Sequence, residues 1–293
     1  MCNRCADVFF TSNISAEGLI RLFLKMCFYC DGKTGVKLHS GEPGSNYFVQ
    51  PSLISPLIKI TKSTIIDANT PYSGFRSTTC THIESMKING FLDIADCDII
   101  DGDGSVSIPI STGKRIKENF VGSHLINYDS IIIINHFKGH RFAGFGGVIK
   151  DMSIGLASKK GKCWIHTAGQ SVENVYYPTE QNAFIESMAD AARSVQLLKK
   201  PMVFISFVNN LSVDGDSCPN ARIPEINDKG IFASYDPVAL DQACLDIVLQ
   251  DACRNKIDSA LVKRIQEMNG RYIISAAKQM NVGSSNYRLI CID

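Results

Sequence analysis

The sequence has no excess of charge of either sign. Its 293 residues include 30 Lys plus Arg and 29 Asp plus Glu, for a formal net charge of +1 at pH 7, and no basic or acidic block is present. The affinity of a protein for nucleic acid depends on the cations that it brings to the phosphates. The balance therefore argues against a nucleic-acid partner and favours a small anionic ligand.

The sequence also lacks a long apolar run. Residues 18–30, the most apolar early stretch, contain Arg21 and Lys25 and are too few to span a bilayer. The first residues do not combine a charged leader, an apolar core and a small-residue cleavage site, so no secretory signal is expected. Eleven cysteines, an odd number, are too few for a disulfide scaffold. We therefore expect a cytoplasmic protein that makes no membrane contact.

Short β-branched runs alternate with helical patterns along the chain. This alternation predicts an α/β fold, with a largely parallel sheet and helices on both faces in Rossmann-like layers. Residues 131–134 are four consecutive isoleucines, which predicts a central strand covered on both sides. The predicted strands are 7–10, 36–39, 64–67, 98–100, 130–135, 202–206 and 287–290. The predicted helices are 16–28, 52–62, 77–89, 180–198, 237–250, 259–269 and 271–280.

No linker, internal repeat or low-complexity tract divides the chain. The apolar content of 45% is sufficient for a buried core. We therefore predict that residues 1–293 form a single domain, with a cleft around residues 136–166.

All six histidines lie in the first 166 residues, and the Gly-rich segment 136–150 directly follows the predicted central strand. Ligands in open α/β sheets bind beyond the carboxyl ends of the strands, so a site is expected here. Three glycines permit close backbone approach, and the amides that open a following helix can face an anion. These glycines are Gly144, Gly146 and Gly147.

Arg141 and Lys150 add positive charge to this segment. Its spacing matches neither the dinucleotide-binding glycine pattern nor a P-loop, and a tight turn with a solvated lysine is an equally weighted interpretation. His82, on a predicted helix, is a candidate second base, and its alternative is an ordinary half-buried helix histidine.

Four motifs occur in the order found in the domain of unknown function 362 family, which the chain resembles from about residue 6 to its end. The motifs are residues 36–44, residues 67–72 with Arg76, residues 136–158 and residues 230–243. Members of this family are often labelled iron-sulfur centre proteins. Many carry a ferredoxin-like run of cysteines after the position of His166, whereas residues 167–184 hold no cysteine. No ferredoxin-type [4Fe-4S] motif is therefore present.

A shorter stretch is similar to the nickel-pincer lactate racemases. The pattern runs from His140 through Phe-Ala-Gly-Phe-x-Gly to Lys150, and His166 follows. This resemblance implies that His140 is a proton-transfer base, that Lys150 anchors a cofactor or phosphate, and that His166 ligates a metal. The sequence itself does not choose between nickel, iron, zinc, a phosphorylated cofactor and no metal.

Two cysteine pairs form another candidate metal site. Cys2 and Cys5 precede a predicted strand, and Cys27 and Cys30 end the helix that follows it. The start of the strand and the end of the helix lie at the same end of a sheet, so four thiolates can meet there. Alternatively, Cys27 continues an apolar helical stripe as a small buried hydrophobe.

Three functions remain open from the sequence. The first is an isomerase or racemase-like enzyme that transfers a proton on a small acid. The second is an iron-sulfur or zinc-binding redox module, and the third is a non-catalytic anion-binding domain. The third requires Lys150 without a need for His140.

Overall fold

A computed structural model describes residues 5–218 and 220–293. The strands are β1 Ala6–Thr11, β2 Thr34–Lys37, β3 Thr64–Asp67, β4 Cys97–Ile99, β5 Ser105–Pro109, β6 Glu118–Gly122, β7 Ser130–His136, β8 Lys138–His140, β9 Gly144–Gly146, β10 Met202–Val208, β11 Gly230–Ser234 and β12 Tyr287–Cys291. The helices are α1 Ala16–Met26, α2 Pro51–Thr61, α3 Thr79–Ile88, α4 Val148–Lys150, α5 Lys159–His166, α6 Gln181–Leu197, α7 Pro237–Arg254, α8 Ala260–Glu267 and α9 Tyr272–Gln279. A π-helical turn, Asp151–Gly155, continues α4.

Within these described residues, the main sheet has eight strands in the order β12-β1-β11-β10-β7-β2-β3-β4. Neighbours pair in parallel except at β11, which runs antiparallel to both β1 and β10. The chain builds outward from β2 through β3 and β4 on one side, and from β7 through β10 on the other. The order of strands therefore reverses between β2 and β7, and the carboxyl ends of such neighbours form a crevice.

Apolar side chains on the two faces of the sheet form separate cores. On the central strand β7, Ile131 and Ile133 join one core, whereas Ile132 and Ile134 join the other. Helices α6, α7 and α9 pack on the first face, and α1, α2 and α3 pack on the second. The structure therefore confirms the predicted α/β class, with a mostly parallel sheet and helices on both faces.

Local signals define several helix starts. Ser15 accepts a hydrogen bond from the Gly18 amide at α1, and Ser158 accepts one from Gly161 at α5. Asp236 caps α7, where Pro237 occupies the first helical position. Among the described residues, no helix combines the length and apolar character needed to cross a membrane.

Candidate functional site

A cavity of about 450 Å³ lies at the carboxyl ends of the central strands. It extends from the segments that follow β2 and β3 to β8 and the helix that carries Lys150, which places it in the crevice beside the reversal of strand order. Its charged and imidazole lining residues are Lys37, His39, Asp67, Arg76, His140, Arg141, Lys150, Asp151, Lys162, His166, Asp214 and Arg264.

A buried ion pair forms one wall of the cavity. Lys37, on β2, is 1% exposed, and its Nζ lies 3.3 Å from Asp67 Oδ1 and donates to Leu38 O at 2.8 Å. Burial raises the pKa of Asp67. The charge of Lys37, together with the other groups that contact this carboxylate, outweighs burial and holds the pKa well below its usual range. Gly155 makes room for this lysine, since a Cβ there would lie 2.7 Å from Lys37 Cε.

A second cation, Arg76, is also paired. Its Nε donates to Glu42 Oε1 at 2.8 Å, and its Nη1 lies 3.7 Å from Asp67 Oδ2. The guanidinium is 3% exposed and Asp67 is equally buried. Lys37 and Arg76 are therefore held and largely neutralised by carboxylates of the protein itself.

Three other cations at the cavity have no such partner. In the part of the chain that the structure describes, the side chains of Arg141, Lys150 and Arg264 form no ion pair or hydrogen bond. Arg141 contacts the Phe142 ring at 5.7 Å from its centroid. Burial lowers the pKa of Lys150 to about 8, although nearby Asp151 raises it. An anionic ligand would supply the missing countercharge.

Lys162 also faces this cavity. Its Nζ donates to Ala157 O at 2.6 Å and to Ala68 O at 3.3 Å. Burial lowers the pKa of this amine to about 8. Lys162 therefore connects α5 to the end of β3, and these two bonds use only some of its N–H donors.

The hydrogen bonds of His140 assign its tautomer. The amide of Ala143 donates to His140 Nδ1 at 3.0 Å, so the neutral ring carries its proton on Nε2. Burial, with a smaller contribution from Lys150, holds the pKa of His140 well below its ordinary value. His140 is therefore a neutral hydrogen-bond donor at neutral pH, which differs from the basic role implied by the resemblance to lactate racemases.

His166 has the opposite tautomer. Its Nδ1–H donates to Lys162 O at 2.7 Å, which leaves a lone pair on Nε2. The ring stacks on Phe184 with centroids 4.9 Å apart and meets the edge of Phe142 at 5.5 Å. Burial lowers its pKa to about 4. A metal ligand needs this free imidazole nitrogen, held in place by a bond from the other nitrogen.

The donors around His166 limit what metal chemistry is feasible. Among the described residues, no group of three or more His, Cys, Asp or Glu side chains is arranged to hold a metal ion. His166 fits a metal as a single protein ligand, and the unpaired amine of Lys150 fits an acidic or carbonyl-bearing cofactor. A metal at this site would therefore need a cofactor to supply its remaining donors.

The amides at the start of α4 are occupied by a carboxylate of the protein. Asp241, on α7, accepts from the amides of Val148 at 2.8 Å and Ile149 at 3.0 Å. A Cβ at Gly147 would lie 2.4 Å from Asp241 Oδ1, so glycine permits this contact. Burial raises the pKa of Asp241 to about 7. The helix start that was expected to face a ligand anion thus faces an internal carboxyl group.

The two other glycines of this segment pack within the fold. A Cβ on Gly144, which has a φ of +80°, would lie 3.0 Å from the Gly270 backbone, whereas Gly146 faces the side chains of Lys138 and Lys150. Gly144, Gly146 and Gly147 do not line the large cavity. Arg141, His140, Lys150 and His166 do line it.

His82 lies behind the buried ion pair. It is fully buried, with Nε2 at 3.4 Å from Asp67 Oδ2 and 3.3 Å from Ser40 Oγ, and with Nδ1 at 3.3 Å from Asn69 Oδ1. The ring is not part of the cavity lining. His82 therefore orients Asp67 and does not itself reach the cavity.

Of the candidate cysteine ligands, those that the structure describes do not line the large cavity. Cys2 lies outside the described residues. Cys5 and Cys27 are exposed, and Cys30 is partly buried. Cys27 adopts a left-handed conformation at the end of α1, where its amide bonds to Leu24 O.

Sequence reasoning did not single out Lys37, Lys162 or Arg264 as site residues. Lys37 had a usable signal, because a lysine between Val36 and Leu38 interrupts an apolar strand. Lys162 stands four residues before His166, at helical spacing. Arg264 reaches the cavity through tertiary packing and has no local signal.

A comparison with family models matches residues 34–246 to Domain of unknown function (DUF362). The chain belongs to this family. No curated protein matches it. Among solved structures, the lactate racemase apoprotein from Thermoanaerobacterium thermosaccharolyticum shows 17% identity and a TM-score of 0.46, over 71% of this chain and 52% of that one.

A second solved structure, a protein from Thermotoga maritima, shows 14% identity and a TM-score of 0.47, over 80% of this chain and 58% of that one. This domain of unknown function 362 protein therefore spans little more than half the length of either structure.

Proposed function

We propose that the cavity binds a small organic acid and promotes proton transfer at the carbon next to its acid group, as in an isomerase or racemase. The observation that carries this proposal is the unpaired amine of the half-buried Lys150 in the same cavity as a neutral His140 that donates from Nε2. An enzyme of this class needs charge to hold the acid and a donor for the oxygen that becomes negative.

The residues divide this work between them. Lys150, Arg141 and Arg264 hold the acid group, and His140 Nε2–H donates to the oxygen on which charge develops when the neighbouring carbon loses its proton. A neutral imidazole suits this role, because its proton forms a strong hydrogen bond without a full charge that must be desolvated. The paired Lys37 and Arg76 form a polar wall whose charges are already balanced.

A bound cofactor would extend this chemistry. A metal-bearing group anchored at Lys150 and ligated by His166 Nε2 would supply a Lewis acid or an electron acceptor beside the substrate. The roles of Arg141, Arg264 and His140 in orienting the acid stay the same in its presence.

The test uses four acids that differ in charge and size: lactate, malate, mandelate and 3-phosphoglycerate. Binding is measured by calorimetry, and the loss of the proton next to the carboxylate is followed by proton NMR in deuterium oxide. We expect Lys150→Met to weaken binding by about tenfold or more, and His140→Gln to slow exchange by about 100-fold with a smaller effect on affinity. His124→Gln is the control, because His124 pairs with Asp98 and Asp103 away from the cavity.

The results separate the competing functions. Binding that depends on Lys150, without proton exchange in the unaltered protein, would identify a non-catalytic anion-binding domain. Exchange that survives both substitutions, or no binding of any of the four acids, would reject the proposal.

A further inference from the structure

Asp151 is a buried carboxylate that faces the cavity. It begins the π-helical turn that continues α4, is 6% exposed and belongs to the cavity lining. Within residues 5–218 and 220–293, no N–H or O–H group donates to its side chain. A Cβ at Gly155 would lie 3.3 Å from Asp151 Oδ1, so a side chain there would crowd this oxygen. A buried carboxylate without a donor costs free energy, which a ligand that brings a proton would recover.

Two lysines lie beside Asp151 without bonding to it. Asp151 Oδ1 is 4.0 Å from Lys37 Nζ, beyond hydrogen-bond distance. Lys37 is closer to Asp67, at 3.3 Å, and donates to Leu38 O. The charge of Asp151 raises the pKa of the neighbouring Lys150, although the two side chains form no ion pair. The oxygens of Asp151 therefore remain able to accept from a ligand.

In the described part of the chain, two other carboxylates line the cavity, and both accept hydrogen bonds. Asp67 accepts from two backbone amides and pairs with Lys37. Asp214 is partly exposed and accepts from the Arg222 amide at 3.2 Å. Among these carboxylates, Asp151 is the one that is buried without a donor from the described residues.

His166 is a competing acceptor, because its Nε2 keeps a lone pair. A proton on this ring would add a cation in the field of Lys150 and Lys162, which opposes it. A proton on Asp151 would instead remove a negative charge while the substrate gains one. The net charge of the cavity then stays constant, which favours the carboxylate as the acceptor.

We infer that Asp151 is the catalytic base of this cavity. The inference rests on the proposed proton transfer. The carbon next to the acid group loses its proton to a carboxylate oxygen of Asp151, and the electron pair of that C–H bond forms the carbon–carbon double bond of an enediolate. The π electrons of the acid group move to its oxygen, which accepts from His140 Nε2–H. Return of the proton to carbon restores the Asp151 carboxylate, so the step needs no oxidant, reductant or co-reactant.

The first experiment follows exchange of the proton next to the carboxylate in deuterium oxide with the same four acids. Asp151→Asn keeps the size of the side chain but cannot take up the proton, and we expect it to slow exchange by about 100-fold or more. Affinity for 3-phosphoglycerate at pH 7 should stay within about threefold, because Asp151 does not hold the acid group. Asp214→Asn removes the same charge from the cavity lining and is the matched control, with an exchange rate expected within about threefold of normal.

Chemical rescue separates a base from a purely structural aspartate. Asp151→Ala leaves room where the carboxylate stood, so added formate should raise its exchange rate by about tenfold or more. The same formate should not change the rate of Asp151→Asn, whose amide fills that space.

The outcomes distinguish the inference from the proposed function. Exchange at the normal rate in Asp151→Asn, or an equal loss in Asp214→Asn, would overturn the inference and leave the proposed function standing. Loss of exchange in His166→Gln together with a normal rate in Asp151→Asn would assign the proton to the imidazole instead. No exchange in the unaltered protein would reject both.

Discussion

Two clusters of charged side chains in this molecule use the same residue types in opposite ways. In the first, which we call the clasp, Asp190 is fully buried and accepts from the amides of Lys114 at 2.8 Å, Arg115 at 2.6 Å and Ile116 at 3.0 Å. Glu186 accepts from Lys114 Nζ and Arg115 Nε. The clasp fastens the segment between β5 and β6 to α6.

The second cluster is the set of cavity cations Arg141, Lys150 and Arg264. These have no carboxylate partner among the described residues, although Asp67 and Asp151 lie in the same cavity. In the clasp, burial raises the pKa of Glu186. Hydrogen bonds from Lys114, Tyr272 and Arg115 to its carboxylate outweigh the effect of burial and lower this pKa to about 2. The charges of the clasp are paired within the protein, whereas Arg141, Lys150 and Arg264 have no such partner among the described residues, as the proposed binding of an anion requires.

The largest expected effect is on the clasp. Asp190→Ala leaves three backbone amides without an acceptor, and we expect the free energy of unfolding to fall by about 3 to 5 kcal/mol. Urea unfolding measures this loss. Asp190→Asn keeps one acceptor oxygen and should lose less. A loss below about 1 kcal/mol in the alanine variant would show that the clasp is dispensable.

A smaller effect is expected where a carboxyl group caps α4. Asp241→Ala leaves two buried amides unpaired and should lower the free energy of unfolding by about 1 to 3 kcal/mol. Asp241→Asn keeps the acceptor without a charge and should be closer to the unaltered protein.

The pH dependence sharpens this prediction for Asp241. Because the folded pKa, about 7, is above the unfolded value, the folded state binds the extra proton, and stability contributed by this group is present at low pH and lost as pH rises through 7. The free energy of unfolding of the unaltered protein should therefore be lower at pH 8 than at pH 5 on account of Asp241. Asp241→Asn should lack this contribution to the pH dependence.

The third prediction concerns the affinity of the cavity for an anion. Because the pKa of Lys150 is about 8, its charge is present below that pH and is lost above it. We expect the affinity for 3-phosphoglycerate to fall by up to about tenfold between pH 7 and pH 9. Lys150→Arg stays charged and should largely remove this dependence. Calorimetry at pH 7 and pH 9 measures the affinity of both proteins. An equal fall in affinity for the unaltered protein and for Lys150→Arg would mean that another group causes the effect.

The smallest effect belongs to a cation at the edge of the cavity. Arg264 is partly exposed, so Arg264→Gln should weaken binding of 3-phosphoglycerate by about two- to threefold without changing the unfolding curve. Lys263→Gln is a neighbouring control, since Lys263 already pairs with Asp258 on the surface. A loss as large as that of Lys150→Met would mean that Arg264 also binds the anion in a desolvated position.

Much of the main sheet could be predicted because its parallel strands are short apolar runs. Strand β11 was not predicted, since Gly230 and Ser234 bound only three apolar residues and its antiparallel pairing is a tertiary property. The hairpin of β8 and β9 was not predicted either, because glycines dominate it. Helix α5 was not predicted, because three lysines and a glycine in eight residues leave only the short apolar run 163–165.

The site was predictable only where residues lie close in sequence. His140, Arg141 and Lys150 share one segment, and the structure brings all three to the cavity. His39 and Asp216 meet only through the packing of distant loops, so their pairing has no sequence signal. The glycines at 144, 146 and 147 indicated that another group lies close to the backbone. The sequence could not show that at Gly147 this group is Asp241.

The contact between Gly155 and Lys37 also constrains how this site can change among relatives. A methyl group at residue 155 would overlap the side chain of Lys37. A shorter side chain at residue 37 would leave the buried Asp67 without its closest cation. We expect a change at either position alone to lower stability. In an alignment of relatives, we therefore expect glycine at 155 and lysine at 37 to be kept or replaced together.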